Sequence, residues 1–221
     1  MSVFILLNCK TFDEGTGANA IELAKACRDV SESAGVEIAI APQMPDIFRV
    51  ASVVDVPVYS QHVDSAGAGS HTGKIYVKAI QEAGAVGSLL NHSECRMTLA
   101  DIEAAAAVLK QNKMTSVICT NNVATTVAAA AIAPEYVAVE PPELIGTGIP
   151  VSKANPEVIT GSVDAVKKVN PNVKVLCGAG ISKGEDLKAA IELGAAGVLL
   201  ASGIVKAKDP RAALYDLVSQ I

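Results

Sequence analysis

The chain has 221 residues, of which half are hydrophobic and 19% are charged, so it can form a packed core and is long enough for one or two domains. Its formal net charge is −5 at pH 7, with acidic and basic residues scattered along it. This pattern argues against nucleic acid or an anionic membrane surface as the main partner.

Export, membrane insertion and metal binding all lack a signal in the sequence. The opening MSVFILLNCK has no basic leader, and no apolar run approaches the ~20 residues that span a bilayer. The five cysteines are an odd number without Cys-x-x-Cys spacing, which favours reduced, buried thiols. The three histidines do not group with them, so only a site assembled by the fold could hold zinc. We therefore expect a soluble cytoplasmic protein.

Short apolar runs, many of them β-branched, recur along the whole chain. Nearly continuous apolar character is typical of strands that are buried on both faces in a parallel sheet. In chain order the runs cover residues 3–8, 36–41, 57–61, 86–91, 114–119, 136–140, 173–177 and 197–202.

The segments between these runs carry helix signals. Thr98 and Asp101 predict a capped helix over 98–110, and Ser182 and Glu185 predict a capping box that opens a helix over 182–194. Asn155-Pro156 and Asp209-Pro210 each place a capping residue before a proline at the first helical position.

Eight strand–helix units predict an α/β protein whose eight parallel strands close into a (β/α)₈ barrel, the TIM barrel. The chain is short for this fold, which typically takes about 250 residues, so the outer helices must be trimmed. No Pro/Ser-rich linker interrupts the sequence, and we expect residues 1–221 to form a single domain. An open, doubly wound sheet is the alternative.

Polar residues gather where the predicted strands end. Asn8 and Lys10 follow strand 1, Asn91-His92-Ser93-Glu94 follows strand 4, and Glu140 ends strand 6. Singly, Lys10 could be a solvated loop lysine, His92 a packing histidine and Glu140 a helix cap or a surface ion-pair partner. Because chemistry in these barrels lies at the carboxyl ends of the strands, their joint placement favours an active site.

Glycine-rich segments follow strands 7 and 8, namely 178-GAGIS-182 and 201-ASGI-204. Backbone N–H groups there, with a helix beginning at Ser182, could hold a phosphate without a basic side chain. Alternatively, the glycines only make a tight turn. Residues 67–75 miss the nucleotide P-loop spacing and residues 178–184 miss G-x-G-x-x-G, which counts against a nucleotide or dinucleotide cofactor.

Three motifs carry a family resemblance. Asn8-x-Lys10, Asn91-His92-Ser93-Glu94, and Glu140-Pro141 followed by 145-IGTG-148 stand in the order and at the strand ends seen in triosephosphate isomerases. From residue 3 to the end, the chain is similar to the short, archaeal-type branch of that family. The resemblance implies the interconversion of dihydroxyacetone phosphate and glyceraldehyde 3-phosphate, in glycolysis and gluconeogenesis, without a cofactor.

The resemblance also implies residue roles. Glu140 would move the proton, neutral His92 would polarise the carbonyl oxygen, Asn8 and Lys10 would complete the oxyanion and phosphate environment, and Glu94 would support Lys10. Pro141 and Pro142 would form a stiff hinge of a lid, with Gly146 and Gly148 supplying backbone freedom. Main chain would grip the phosphate at Ile145, Gly146, Gly180, Ser182, Ala201 and Ser202.

Some positions depart from the family pattern. The lid carries Pro142-Glu143-Leu144 where many members have an aromatic residue, and Lys74 stands where the larger family often has an acid at the dimer interface. We expect residues 65–75 to project into a neighbouring subunit of a homo-oligomer, a tetramer rather than a dimer. The alternatives are an isomerase or epimerase of another sugar phosphate, a phosphate-binding barrel without activity, and a structural oligomer.

Overall fold

The computed structural model describes residues 3–144 and 148–221, and eight parallel strands close into a barrel. Each strand pairs with the next in the chain, and the last pairs back with the first, from Phe4↔Gly197 to Leu7↔Leu200. The predicted closed barrel is therefore confirmed and the open sheet is wrong. The strands are β1 Phe4–Asn8, β2 Glu37–Ala41, β3 Val58–Ser60, β4 Ala85–Leu90, β5 Thr115–Thr120, β6 Tyr136–Val139, β7 Lys174–Gly178 and β8 Gly197–Leu200.

Helices fill the connections between strands, and several are short, as expected for a barrel of this length. Short 3₁₀ turns add to them at Asp13–Gly15, Met44–Asp46 and Pro142–Leu144. In the described part of the chain the α-helices are α1 Ala18–Ala34, α2 Ile47–Ala51, α3 Val77–Glu82, α4 Leu99–Gln111, α5 Val123–Ala131, α6 Val151–Ala154, α7 Pro156–Val169, α8 Gly184–Glu192, α9 Ser202–Val205 and α10 Pro210–Val218.

Two apolar layers result from the alternation of side chains along each strand. Ile5 and Leu7 point outward into the layer between barrel and helices, whereas Phe4 and Leu6 point into the barrel. The interior layer consists of Phe4, Leu6, Ala39, Ala41, Tyr59, Leu89, Val117, Cys119, Ala138, Leu176 and Leu199, with Tyr136 packed against it. The barrel is therefore filled, and an inward polar residue can reach a ligand only near an open end.

The amino end of the barrel is closed by aromatic rings. The ring of Phe4 stacks on that of Tyr136, with centroids 4.8 Å apart, and lies 6.0 Å from the ring of Tyr59. Because this end is packed with rings, the carboxyl ends of the strands are where a small molecule can enter.

The predicted helix starts are confirmed at three positions and wrong at one. Asn155 is the N-cap of α7, which begins at Pro156, although the Asn155 side chain makes no capping hydrogen bond. Thr98 caps α4 by accepting from the N–H of Asp101, and Asp209 caps α10 by accepting from that of Ala212. The predicted Ser182–Glu185 pair does not form, because α8 begins later, at Gly184. The Asp186 carboxylate instead accepts from the N–H groups of Ser182 and Lys183, each at 3.2 Å.

Candidate active site

A cavity of about 300 Å³ opens at the carboxyl ends of the strands. It brings together nine of the residues predicted for the site, while the other two, Ile145 and Gly146, lie outside the described residues. The nine are Asn8, Lys10, His92, Glu94, Glu140, Gly180, Ser182, Ala201 and Ser202.

Asn8 and Lys10 reach the cavity because β1 ends there. Asn8 shares the inward side with Phe4 and Leu6, and its Oδ1 accepts from the backbone N–H of Lys10 at 2.9 Å. Lys10 has a left-handed backbone, with φ of 48°, which is unusual for a residue with a Cβ. The side-chain amide of Gln61 donates to the Lys10 carbonyl at 2.9 Å and so helps to hold this conformation. Gln61 was missed by the sequence analysis.

Glu94 lies beside Lys10, as the resemblance implies. The Lys10 Nζ is 2.7 Å from Glu94 Oε1, a distance typical of a charge-assisted hydrogen bond. The lysine side chain is only 15% exposed, whereas the glutamate is 56% exposed. The ammonium is therefore directed along the wall of the cavity, and its partner faces solvent.

His92 is buried just beyond the end of β4, with 5% of its surface exposed. Its Nδ1 accepts a hydrogen bond from the backbone N–H of Glu94 at 3.2 Å. An imidazole nitrogen that accepts carries no proton, so in the neutral ring the proton resides on Nε2. That Nε2 lies 3.6 Å from Glu140 Oε2, and its N–H is available to a ligand oxygen in the cavity.

Glu140 follows β6, and its backbone N–H donates to the Thr120 carbonyl at 2.8 Å. The side chain is 6% exposed, and within the described residues its Oε2 has no hydrogen-bond partner. Burial raises the pKa of this carboxyl, and His92, the Cys119 thiol and Lys10 partly oppose the rise. A buried carboxylate with a raised pKa is a stronger base than a solvated one.

Cys119 and Gly178 touch Glu140 and were not predicted as site residues. The Cys119 thiol helps to lower the pKa of the Glu140 carboxyl, and burial keeps the pKa of this thiol well above its usual value, so that it stays protonated. A Cβ on Gly178 would lie 2.1 Å from the Glu140 Cγ, so only glycine leaves room for the carboxylate. The inward position of Cys119, in step with Val117, was the one sequence signal.

The other end of the cavity is formed by main chain. Ala179 and Gly180 are both left-handed, with φ of 68° and 73°, and a Cβ on Gly180 would lie 2.0 Å from the Ile149 carbonyl oxygen. Ser182 lies near the start of α8, and α9 begins at Ser202. Among the described residues that line the cavity, Lys10 is the one lysine or arginine, so an anion at this end would meet mainly backbone N–H groups.

Phe12 also lines this cavity and was not predicted. The Nζ of Lys206 lies over its ring, 5.3 Å from the centroid.

Within residues 3–144 and 148–221, no cluster of three or more His, Cys, Asp or Glu side chains could hold a metal ion. In the same residues, no helix is both long and apolar enough to cross a bilayer.

The fold and this geometry define the class of protein: a (β/α)₈ barrel that brings a lysine, an imidazole and a buried carboxylate together at the carboxyl ends of its strands. The sequence model of one family, described as Triosephosphate isomerase, matches residues 3–221. The chain belongs to the triosephosphate isomerase family, and the resemblance seen in its motifs is confirmed.

Several similar proteins carry the name Triosephosphate isomerase. The Triosephosphate isomerase of Methanococcoides burtonii is 69% identical over 221 residues, which is 100% of both chains. That of Methanosarcina acetivorans is 67% identical over 217 residues, or 98% of each chain. That of Methanocaldococcus jannaschii is 55% identical over 219 residues, covering 99% of this chain and 100% of the relative.

Proposed function

We propose that this protein interconverts dihydroxyacetone phosphate and D-glyceraldehyde 3-phosphate. Membership of the triosephosphate isomerase family supports this directly. The observation that carries the mechanism is the buried Glu140, whose Oε2 has no partner among the described residues and lies 3.6 Å from the imidazole Nε2 of His92. A base and a hydrogen-bond donor this close can act on neighbouring atoms of one small molecule.

In the proposed reaction, Glu140 removes the proton from C1 of dihydroxyacetone phosphate. The C–H electron pair forms the C1–C2 double bond, and the C2 carbonyl becomes an enediolate oxygen. Glu140 then returns the proton to C2, while a proton moves from the C1 oxygen to the C2 oxygen and leaves the aldehyde. Because its carboxylate has two oxygens, it can reach both carbons without a second base.

His92, Lys10 and Asn8 would stabilise the enediolate. The N–H at His92 Nε2, the Lys10 ammonium and the side-chain amide of Asn8 line one cavity, and fixed donors of this kind lower the energy of a developing oxyanion. In triosephosphate isomerases the histidine is established to act as a neutral imidazole that polarises the substrate carbonyl. Glu94 would hold the Lys10 ammonium in place through its 2.7 Å contact.

The phosphate would bind at the main-chain end of the cavity. Gly180, Ser182, Ala201 and Ser202 border it, and backbone N–H groups at the start of α9 would face the anion. Pro141 and Pro142 would act as the hinge of a lid in which Ile145 and Gly146 complete the phosphate contacts. Closing such a lid would exclude water and raise the basicity of Glu140 further.

The test is a coupled assay on glyceraldehyde 3-phosphate with wild type and Glu140→Gln. The amide is nearly isosteric but cannot take a proton, so we expect kcat to fall about 10²–10⁴-fold, the range associated with a lost general base. Inhibition by inorganic phosphate should remain, since the phosphate end of the cavity is unaltered.

Glu157→Gln is the matched control, because Glu157 is exposed in the first turn of α7 and should leave kcat unchanged. Equal turnover by wild type and Glu140→Gln would remove Glu140 from the mechanism. Competition by pentose phosphates as strong as that by triose phosphates would favour the rival, an isomerase of another sugar phosphate.

We also propose that the protein works in the cytoplasm as a homo-oligomer, a tetramer rather than a dimer, with residues 65–75 packing on a neighbouring subunit. Support comes from residues 65–73, most of which are exposed, while the base of the segment is fixed by Asp64, which accepts from the Lys74 Nζ at 3.0 Å and from the Ile75 N–H at 2.8 Å. Light scattering coupled to size-exclusion chromatography should give four times the chain mass. A fully active monomer would overturn the proposal.

A further inference from the structure

Asn91 lies between the last residue of β4, Leu90, and His92, and its backbone conformation is unusual. Its φ is 58°, in the left-handed region that asparagine tolerates better than most residues. The last residue pair of the β4–β5 ladder is Leu90↔Ile118, so the chain turns away from the sheet at Asn91 and delivers His92 into the cavity.

The side chain of Asn91 uses both ends of its amide. Its Nδ2 donates to the Cys119 carbonyl of β5 at 3.0 Å, while its Oδ1 accepts from the backbone N–H of Met97 at 3.0 Å. The first bond ties the turn to the neighbouring strand beyond their paired residues. The second fixes the far side of the loop that contains His92 and Glu94.

The strand residue that Asn91 holds is itself in contact with the proposed base. The backbone N–H of Glu140 donates to the carbonyl of Thr120, the residue after Cys119 in β5, at 2.8 Å, and the Cys119 thiol helps to lower the pKa of the Glu140 carboxyl. The imidazole that follows Asn91 lies 3.6 Å from the same carboxylate. One amide thus connects, through a single residue on each side, the proposed electrophile and the proposed base.

We propose that Asn91 is a positioning residue that sets the separation between His92 and Glu140. It touches neither the substrate nor the reacting atoms, and it acts through the backbone of His92 and through Cys119. This inference rests on the proposed isomerase activity and adds to it a residue that neither the motifs nor the cavity lining assigned a role. Displacements of about 1 Å at reacting groups can lower turnover about 10²-fold.

The experiment compares Asn91→Gly with Asn91→Asp in the full-length protein. Glycine keeps the left-handed turn but removes both hydrogen bonds. Aspartate keeps an oxygen for the Met97 N–H but presents an acceptor to the Cys119 carbonyl. We expect kcat for glyceraldehyde 3-phosphate to fall about 10–100-fold in both variants, while KM and the inhibition constant for inorganic phosphate stay within about threefold of wild type, the pattern of an interaction needed only in the transition state.

Lys113→Gly is the matched control, since Lys113 is also left-handed, with φ of 57°, but lies just before β5 at the opposite end of the barrel. It should leave kcat and KM unchanged. If Asn91→Gly does not fold, Asn91→Asp carries the test alone, because its loop anchor is kept.

Two results would overturn the inference while wild type is active. One is turnover by Asn91→Gly within about threefold of wild type. The other is a loss in Asn91→Gly together with normal turnover in Asn91→Asp, which would remove the bond to Cys119 from the explanation. An inactive wild type would instead refute the proposed function, and it would do so before any variant is compared.

Discussion

At the scale of single residues, the site depends on what surrounds one carboxylate. Glu140 is almost fully buried, and burial raises its pKa while His92, Cys119 and Lys10 work in the opposite direction. The proposed chemistry needs this balance, because the group must be charged to take a proton and basic enough to hold it. The residues around Glu140 therefore affect it in two ways: their charges alter its pKa, and their size determines where its carboxylate can lie.

Gly178→Ala tests the space around Glu140. The added Cβ would lie 2.1 Å from the Glu140 Cγ and 2.9 Å from its Cδ, so the carboxylate or the end of β7 must move. We expect kcat to fall at least about 10²-fold, since about 1 Å of misplacement has effects of that size. Steady-state assays on glyceraldehyde 3-phosphate measure the change.

Gly161→Ala provides the comparison for that substitution. Gly161 lies in α7, and a Cβ there would approach the Val123 Cγ2 at 3.3 Å, a contact that a small shift relieves. Alanine is also the better helix former by about 1 kcal/mol. Activity should remain at the wild-type level, and a normal kcat in Gly178→Ala would show that Glu140 does not need the room.

At the scale of secondary-structure elements, the strands were predictable from local sequence and several side-chain contacts were not. All eight apolar runs correspond to strands, because burial on both faces imposes continuous apolar character. The alternation along β1 also explains why Asn8 follows Phe4 and Leu6 into the interior. Lys10, His92 and Glu140 could be placed at one rim for the same reason, since all parallel strands end on the same side.

Contacts that depend on strand register could not be read from the sequence. Cys119 was expected to be a buried thiol, and it is buried, but its contact with Glu140 follows from the pairing Cys119↔Ala138. Gly178 comes to lie beside Glu140 because Val139 pairs with Cys177 one residue earlier. Register is set by the whole barrel, so the local sequence indicates that Cys119 points inward but not that it or Gly178 lies beside Glu140.

The start of α8 shows the same limit at a helix end. Ser182, Glu185 and Asp186 are all plausible partners in a capping arrangement, and local sequence favoured Ser182 with Glu185. Asp186 accepts from the N–H groups of Ser182 and Lys183 instead, and it is also 3.1 Å from the Lys153 Nζ on α6. This ion pair joins the start of α8 to α6, a contact that the local sequence does not indicate.

At the scale of the whole molecule, the buried carboxylate that we propose as the base reduces the stability of the fold. The pKa of Glu140 in the folded protein is raised above its usual 4.5, so the unfolded chain releases this proton at lower pH than the folded one. Well below pH 4.5, where the carboxyl is protonated in both states, Glu140 does not affect stability. As pH rises from 4.5 to the folded pKa, the free energy of unfolding falls, and above the folded pKa the full reduction is present. Activity and stability therefore make opposite demands on this position.

Glu140→Gln should consequently melt at a higher temperature than wild type at pH 8, and the difference should shrink towards pH 4. Each unit of raised pKa corresponds to about 1.4 kcal/mol, and 1 kcal/mol shifts the Tm of a chain of this size by about 2–4 °C. Thermal denaturation from pH 4 to pH 8, at fixed protein concentration, measures the difference. Glu157→Gln, whose carboxylate is exposed, should follow wild type throughout. A gain in Tm for Glu140→Gln that does not depend on pH would mean that the charge of Glu140 is not destabilising. A wild type that melts above Glu140→Gln at pH 8 would mean the same.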